Sequence, residues 1–283
     1  MPEGPEVECT RQALCNLEGK VVKKIVLTEL SQRYNKYKNL QQNFQEFSGR
    51  TIQKIQRKGK FLVWLFNCDK VIINHLGMSG RWFLFIKDTP NIHPSHPKVI
   101  IEMSSGEKAI FDDARNFGQF KISSSYESAL NYPAIKRLGV DGLQEVFPEE
   151  EFLSRLDKTI YQNKIIGNIL LNQSLVAGVG NIYKSESLFL AKINPTELVK
   201  NISTNKRKKL AHAIETTLKK AVKSNGSTFN IQPFQTPLGE QGTAQNWHNV
   251  YAKESELCNI CLTPIQRIIQ QKRSTFFCPT CQK

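Results

Sequence analysis

Through the first ~125 residues, apolar and polar positions trade places in short runs bounded by turn formers. The runs at 20–30, 51–66, 70–76, 81–86, 98–103 and 119–125 are rich in β-branched and aromatic residues, and several alternate with period two. That pattern predicts strands with one buried face. Ser105-Gly106 predicts a hairpin turn between two of them, and the even spacing predicts an antiparallel β-sandwich. One amphipathic helix, over about 6–18, precedes the strands.

Past ~126 the period changes. Residues ~126–150 form a connector punctuated by Pro133, Gly139, Gly142 and Pro148. Pro148 followed by Glu149, Glu150 and Glu151 predicts a helix start, because carboxylates suit the positive end of the helix dipole. Helical periodicity then recurs at ~163–176, ~181–192 and ~204–224, and the polar, Gly- and Pro-containing stretch 226–248 predicts a long loop. The expectation is an α+β multidomain chain: a β-sandwich over 1–130, a connector over 131–150, a helical domain over 151–250 and a cysteine-bearing hairpin over 251–283.

Charge adds a partner. Lys and Arg number 39 against 25 Asp and Glu, a net charge of +14 and a pI near 9.5. A balance this basic is the footprint of a nucleic-acid binder, set against the plainer reading of a basic soluble protein. The start MPEGPEVECT has no apolar core, and no run approaches the ~18 apolar residues that span a bilayer. An intracellular, reducing location is therefore expected, with the cysteines as thiols or metal ligands. Cys9, Cys15 and Cys68 are scattered. Cys258-x2-Cys261 and Cys278-x2-Cys281, separated by sixteen residues, have the spacing of a structural four-cysteine zinc site. Four thiolates close the tetrahedron, so this Zn2+ folds a hairpin and does no chemistry. Arg273 falls between the two knuckles, at the tip.

Several motifs in order then carry a resemblance: MPEGPEVE at the start, RKGKFL (57–62), NHLGMSGRW (74–82), DARNFG (113–118), AGVGNIYKSESL (177–188), KRSTFFC (272–278) and the zinc cysteines. Together they resemble the formamidopyrimidine-DNA glycosylase/endonuclease VIII family across the whole chain. The resemblance implies a bifunctional DNA glycosylase and abasic-site lyase of base excision repair, acting as a monomer on double-stranded DNA with oxidised bases or abasic sites. Oxidised and ring-opened purines would come first, oxidised pyrimidines close behind.

The family's nucleophile is the amine of an N-terminal proline exposed by loss of Met1, here Pro2. An α-amine titrates near 7.7–8.0 and a lysine near 10.4, so at pH 7 roughly 10% of the former and well under 0.1% of the latter is neutral. The resemblance further implies that Glu3 is the general acid/base for opening the sugar and that Lys60 is a phosphate contact able to move protons. Glu6 could assist proton transfer or be an exposed helix-start carboxylate, and Glu186 would line the lesion site. Met78, Arg115 and Phe117 match the trio that fills the void left by a flipped base. AGVGNIY resembles the helix-two-turn-helix, in which Asn181 meets phosphate; Arg273 is its partner clamp. His75 either meets backbone or packs.

Three positions depart from the glycosylase branch. Gly4 and Gly167 (where a lysine is usual) look like endonuclease VIII, and Asn116 stands where a second basic residue is common. Two other readings compete: a non-catalytic damaged-DNA binding protein, which would not need Pro2, Glu3 and Lys60, and a zinc-ribbon module, which explains only the end of the chain.

Overall fold

The computed structural model describes residues 2–37, 40–86, 94–228 and 234–283. They divide into two compact units, one of 1–136 with 224–243 and one of 137–223 with 244–283.

The first unit opens with α1 (Gly4–Leu14), two residues ahead of the helix predicted at about 6–18, and ends it in a 3-10 turn at Cys15–Leu17. The strands are β1 (Val22–Leu27), β2 (Ile52–Lys58), β3 (Phe61–Phe66), β4 (Cys68–His75), β5 (Arg81–Phe85), β6 (Pro97–Met103), β7 (Lys108–Asp112) and β8 (Gln119–Ser123). They form two four-stranded sheets of order β1-β6-β7-β5 and β2-β3-β4-β8, antiparallel throughout. The apolar run 51–66 is a hairpin folded at Gly59, whose φ of +57° suits a residue without Cβ. Inward-facing side chains, among them Leu62, Trp64, Ile72, Trp82, Val99 and Phe111, make one core with Val7 and Leu14 of α1. Trp64 and Trp82 meet at 5.2 Å between ring centroids.

The second unit holds α2 (Glu149–Leu156), α3 (Asn181–Leu190) and α4 (Thr204–Lys223). The helix expected at ~163–176 is instead a single turn, Ile166–Ile169, followed by turns that lead to the short strand Val176–Ala177. Beyond the end of Ile166–Ile169, the Asn172 side-chain oxygen accepts from the backbone N–H and hydroxyl of Ser174, a local alternative to renewed helix. A short parallel pair, Val140–Asp141 with Val176–Ala177, links the connector to the residues ahead of α3. At the end, β9 (Gln266–Gln270) and β10 (Arg273–Phe277) form the hairpin.

The stretch 224–243 packs with the first unit rather than with the helices that flank it in sequence. Leu84 donates its N–H to the carbonyl of Pro237 at 2.7 Å, and Gln235 pairs with Gln241. The part of the predicted loop at 229–233 lies outside the described residues.

Candidate active site

Pro2 is half-buried and directly precedes the cap of α1. Glu3 and Glu6 form a reciprocal capping box, and both are buried. Glu6 accepts the N–H of Glu3 at 2.8 Å and that of Ser227 at 2.9 Å. The alternative of an exposed carboxylate is thus overturned: Glu6 is 3% exposed and ties the Pro2-Glu3 end of α1 to a segment 221 residues away. Gly226 makes this possible, since a Cβ there would stand 2.8 Å from the Glu6 carboxylate.

Two residues further along α1, Glu8 pairs with Arg11 and Arg57. Burial opposes its ionisation, yet the two guanidiniums outweigh that and hold the carboxyl below its usual range. Arg57 in turn donates to the carbonyl of Gly59 at 3.0 Å, so α1 grips the β2–β3 turn that presents Lys60. Lys60 is 8% exposed.

His75 lies across from Phe61 on β4, with ring centroids 4.8 Å apart. Burial first, and then the charge of Lys60, pull its pKa down to about 4. The neutral ring uses Nδ1 to accept the N–H of Gly77 at 3.1 Å. His75 thus packs against Phe61 and holds the chain's own backbone at Gly77.

Gly77 joins two turns. Its φ is +70°, and a Cβ would meet the carbonyl carbon of Phe117 at 2.4 Å. This close approach sets the Met78 turn against the 113–118 turn. Asp113, buried, accepts from the hydroxyl of Ser79 and from the N–H of Gly118, and Ser79 accepts the N–H of Arg115. The three residues carried by these turns are exposed, Met78 at 38% and Phe117 at 50%, with the Arg115 guanidinium over the Phe117 ring. The organiser, Asp113, was missed by sequence reasoning, because its partners Ser79 and Gly118 are fixed only by the fold.

In the second unit, Gly178 (φ +93°) and the cap Gly180 lead into α3, with Gln173 accepting the N–H of Gly178 and donating to the carbonyl of Val179. Asn181, the first residue of α3, donates its amide to the carbonyl of Ser274 at 2.7 Å, next to Arg273 at the exposed hairpin tip. Glu186 was expected to line the lesion site. It is fully buried, and its two oxygens accept the N–H groups of Asn249, Val250 and Tyr251 and the Asn249 side chain. A carboxylate saturated in this way anchors a loop.

The four cysteine sulfurs lie within 4.8 Å of one another, with Cys258–Cys281 at 3.9 Å and Cys261–Cys278 at 3.4 Å. Tetrahedral Zn2+ at ~2.3 Å needs sulfur separations of about 3.8 Å, so the donor set fits. Gln282 accepts the N–H of Cys278 and donates to the carbonyl of Ile193, fastening this knuckle to the end of α3.

Family models match in the same order. The formamidopyrimidine-DNA glycosylase N-terminal domain covers residues 1–120, the formamidopyrimidine-DNA glycosylase H2TH domain 138–233, and the zinc finger found in FPG and IleRS 255–283. A formamidopyrimidine-DNA glycosylase of Janthinobacterium sp. (strain Marseille) is 35% identical over the whole of both chains. Among solved structures, Lactococcus lactis Fpg in complex with abasic-site DNA has a TM-score of 0.84 at 34% identity, covering 99% of each chain. The wild-type Lactococcus lactis enzyme with DNA containing an oxidised pyrimidine has a TM-score of 0.83 at 34% identity over all of both chains. No helix among the described residues is long and apolar enough to cross a membrane.

Proposed function

The chain belongs to the formamidopyrimidine-DNA glycosylase family, and from that premise we propose that it excises oxidised bases from DNA inside the cell, with Pro2 as nucleophile. Ring-opened and oxidised purines are the first substrates and oxidised pyrimidines the second. The observation that carries the reading is the arrangement at the start of α1: Pro2 stands at a fixed helix cap whose Glu3 and Glu6 are held by reciprocal bonds.

The neutral amine of Pro2, as the terminal residue, attacks C1′. The bond from C1′ to the base breaks, and the base leaves with that electron pair and takes up a proton. Glu3 gives a proton to O4′ as the sugar ring opens, the amine loses its own proton, and a cationic iminium joins nitrogen to C1′. The iminium acidifies C2′. Loss of a C2′ proton expels the 3′ phosphate, and water then hydrolyses the iminium to release Pro2. Lys60 holds phosphate beside the sugar. Met78, Arg115 and Phe117 occupy the gap left by the flipped nucleotide, and unstacking costs a few kcal/mol that such contacts offset. Asn181 and Arg273 form a second phosphate clamp.

Borohydride reduction on a duplex with one abasic site tests this. Wild type, with loss of Met1 verified by mass spectrometry, should give a covalent adduct, and Pro2→Gly should lose it while retaining binding. Equal trapping by both proteins would overturn the assignment of Pro2. Absence of an adduct from wild type, with binding intact, would favour a non-catalytic damage binder.

A further inference from the structure

Lys184 has no place in the chemistry above, and two physical terms oppose its presence. It is fully buried, and an ammonium taken out of water is costly unless hydrogen-bonded. It also lies in the first turn of α3, where the helix dipole disfavours a cation. Helix stability therefore does not explain it.

Its bonds do. The ammonium donates to Asn181 Oδ1 at 2.9 Å and to Thr275 Oγ1 at 2.6 Å. Thr275 donates its hydroxyl hydrogen bond to Gln270 Oε1 at 2.9 Å, and Gln270 donates to the carbonyl of Pro195 at 2.8 Å. Gly167 leaves room for this last link, since a Cβ there would stand 2.4 Å from Gln270 Oε1. Each partner's polarity is fixed by the next. With Oδ1 of Asn181 held by an ammonium, which only donates, Nδ2 must face the carbonyl of Ser274, and its second N–H is left to point elsewhere. One side chain thus sets the amide orientation of Asn181 and the place of β10 immediately after Arg273.

We propose that Lys184 is a positioning residue of the phosphate clamp, locking Asn181 and the Ser274–Thr275 backbone so that Asn181 and Arg273 meet DNA already ordered. Preordering removes a conformational cost from binding and places a buried positive charge behind the anion site. The proposal rests on the clamp reading given under the proposed function.

A double-mutant cycle tests it, using the full-length zinc-loaded protein and a duplex with one tetrahydrofuran abasic-site analogue. Asn181→Ala should weaken binding about tenfold in the wild-type background but less than twofold beside Lys184→Met, which alone should cost about tenfold. A purely structural lysine would instead lower thermal stability with the two binding losses multiplying. That result overturns the proposal, as does wild-type affinity in Lys184→Met when Asn181→Ala is weakened. Wild-type affinity in Asn181→Ala would overturn the clamp reading and the proposal with it. Should Lys184→Met not fold, Thr275→Val cuts the same relay at its hairpin end and must show the same coupling to Asn181→Ala.

Discussion

A single imidazole shows how burial decides chemistry beside the site. Burial and the charge of Lys60 hold the His75 pKa at about 4, against about 6.5 in an unfolded chain. Between these values the unfolded chain binds a proton that the folded one does not, so stability rises with pH there, by at most about 1.4 kcal/mol per unit. The contribution is complete above pH 6.5 and is lost as pH falls toward 4. Unfolding free energies from urea titrations of wild type and His75→Asn should differ by a constant amount above pH 6.5, and the difference should shift against wild type as pH drops to 4. A difference that ignores pH would refute the burial account. The same shift has a functional side: at neutral pH Lys60 faces a neutral ring, and the imidazole lone pair remains available to hold Gly77 and, through it, the Phe117 turn.

Among elements, the zinc hairpin carries a visible cost. Its two-residue turn, Gln271 and Lys272, has φ of 48° and 61°, both in the left-handed region. Such a type I′ turn favours Asn-Gly, and each unsuited side chain costs roughly 1 kcal/mol. Gln271→Asn with Lys272→Gly should therefore raise the melting temperature and slow zinc loss to a chelator several-fold, because metal release is coupled to unfolding of the hairpin. Unchanged zinc kinetics would show that the turn opens only after the metal leaves. The elements themselves were largely readable. Strands announce themselves by period two, and the cysteine spacing fixes the zinc knuckles. The helix expected at ~163–176 is only the turn Ile166–Ile169, because the chain beyond it turns at Asn172, whose side chain accepts from Ser174, a bond that period alone does not see. The exposed turn that carries Arg115 and Phe117 was legible only as one motif of the family resemblance, DARNFG. The places of Glu6, Asn181 and Glu186 were not, because their partners lie 221, 93 and 63 to 65 residues away.

For the molecule as a whole, charge is the property that no local pairing removes. With 39 Lys and Arg against 25 Asp and Glu, one-to-one pairing leaves 14 bases without a carboxylate. Many acids are already committed: Glu8 to Arg11 and Arg57, Glu102 to Lys24 and Lys108, Asp112 to Arg81. Arg115 and Arg273 enter no ion pair among the described residues and are exposed, so their charge is presented rather than neutralised. If Lys60, Arg115 and Arg273 each displace one counterion from DNA, log affinity should fall against log salt with a slope near −2.7, about 40-fold between 50 and 200 mM. Arg273→Ala should reduce that slope by about one, whereas Phe117→Ala, which removes the side chain proposed as an apolar wedge, should weaken binding and leave the slope alone. Fluorescence anisotropy on one duplex across a salt series reads all three. A flat wild-type response would mean that the surplus charge serves solubility, and the DNA contacts would then have to rest on apolar insertion and neutral donors alone.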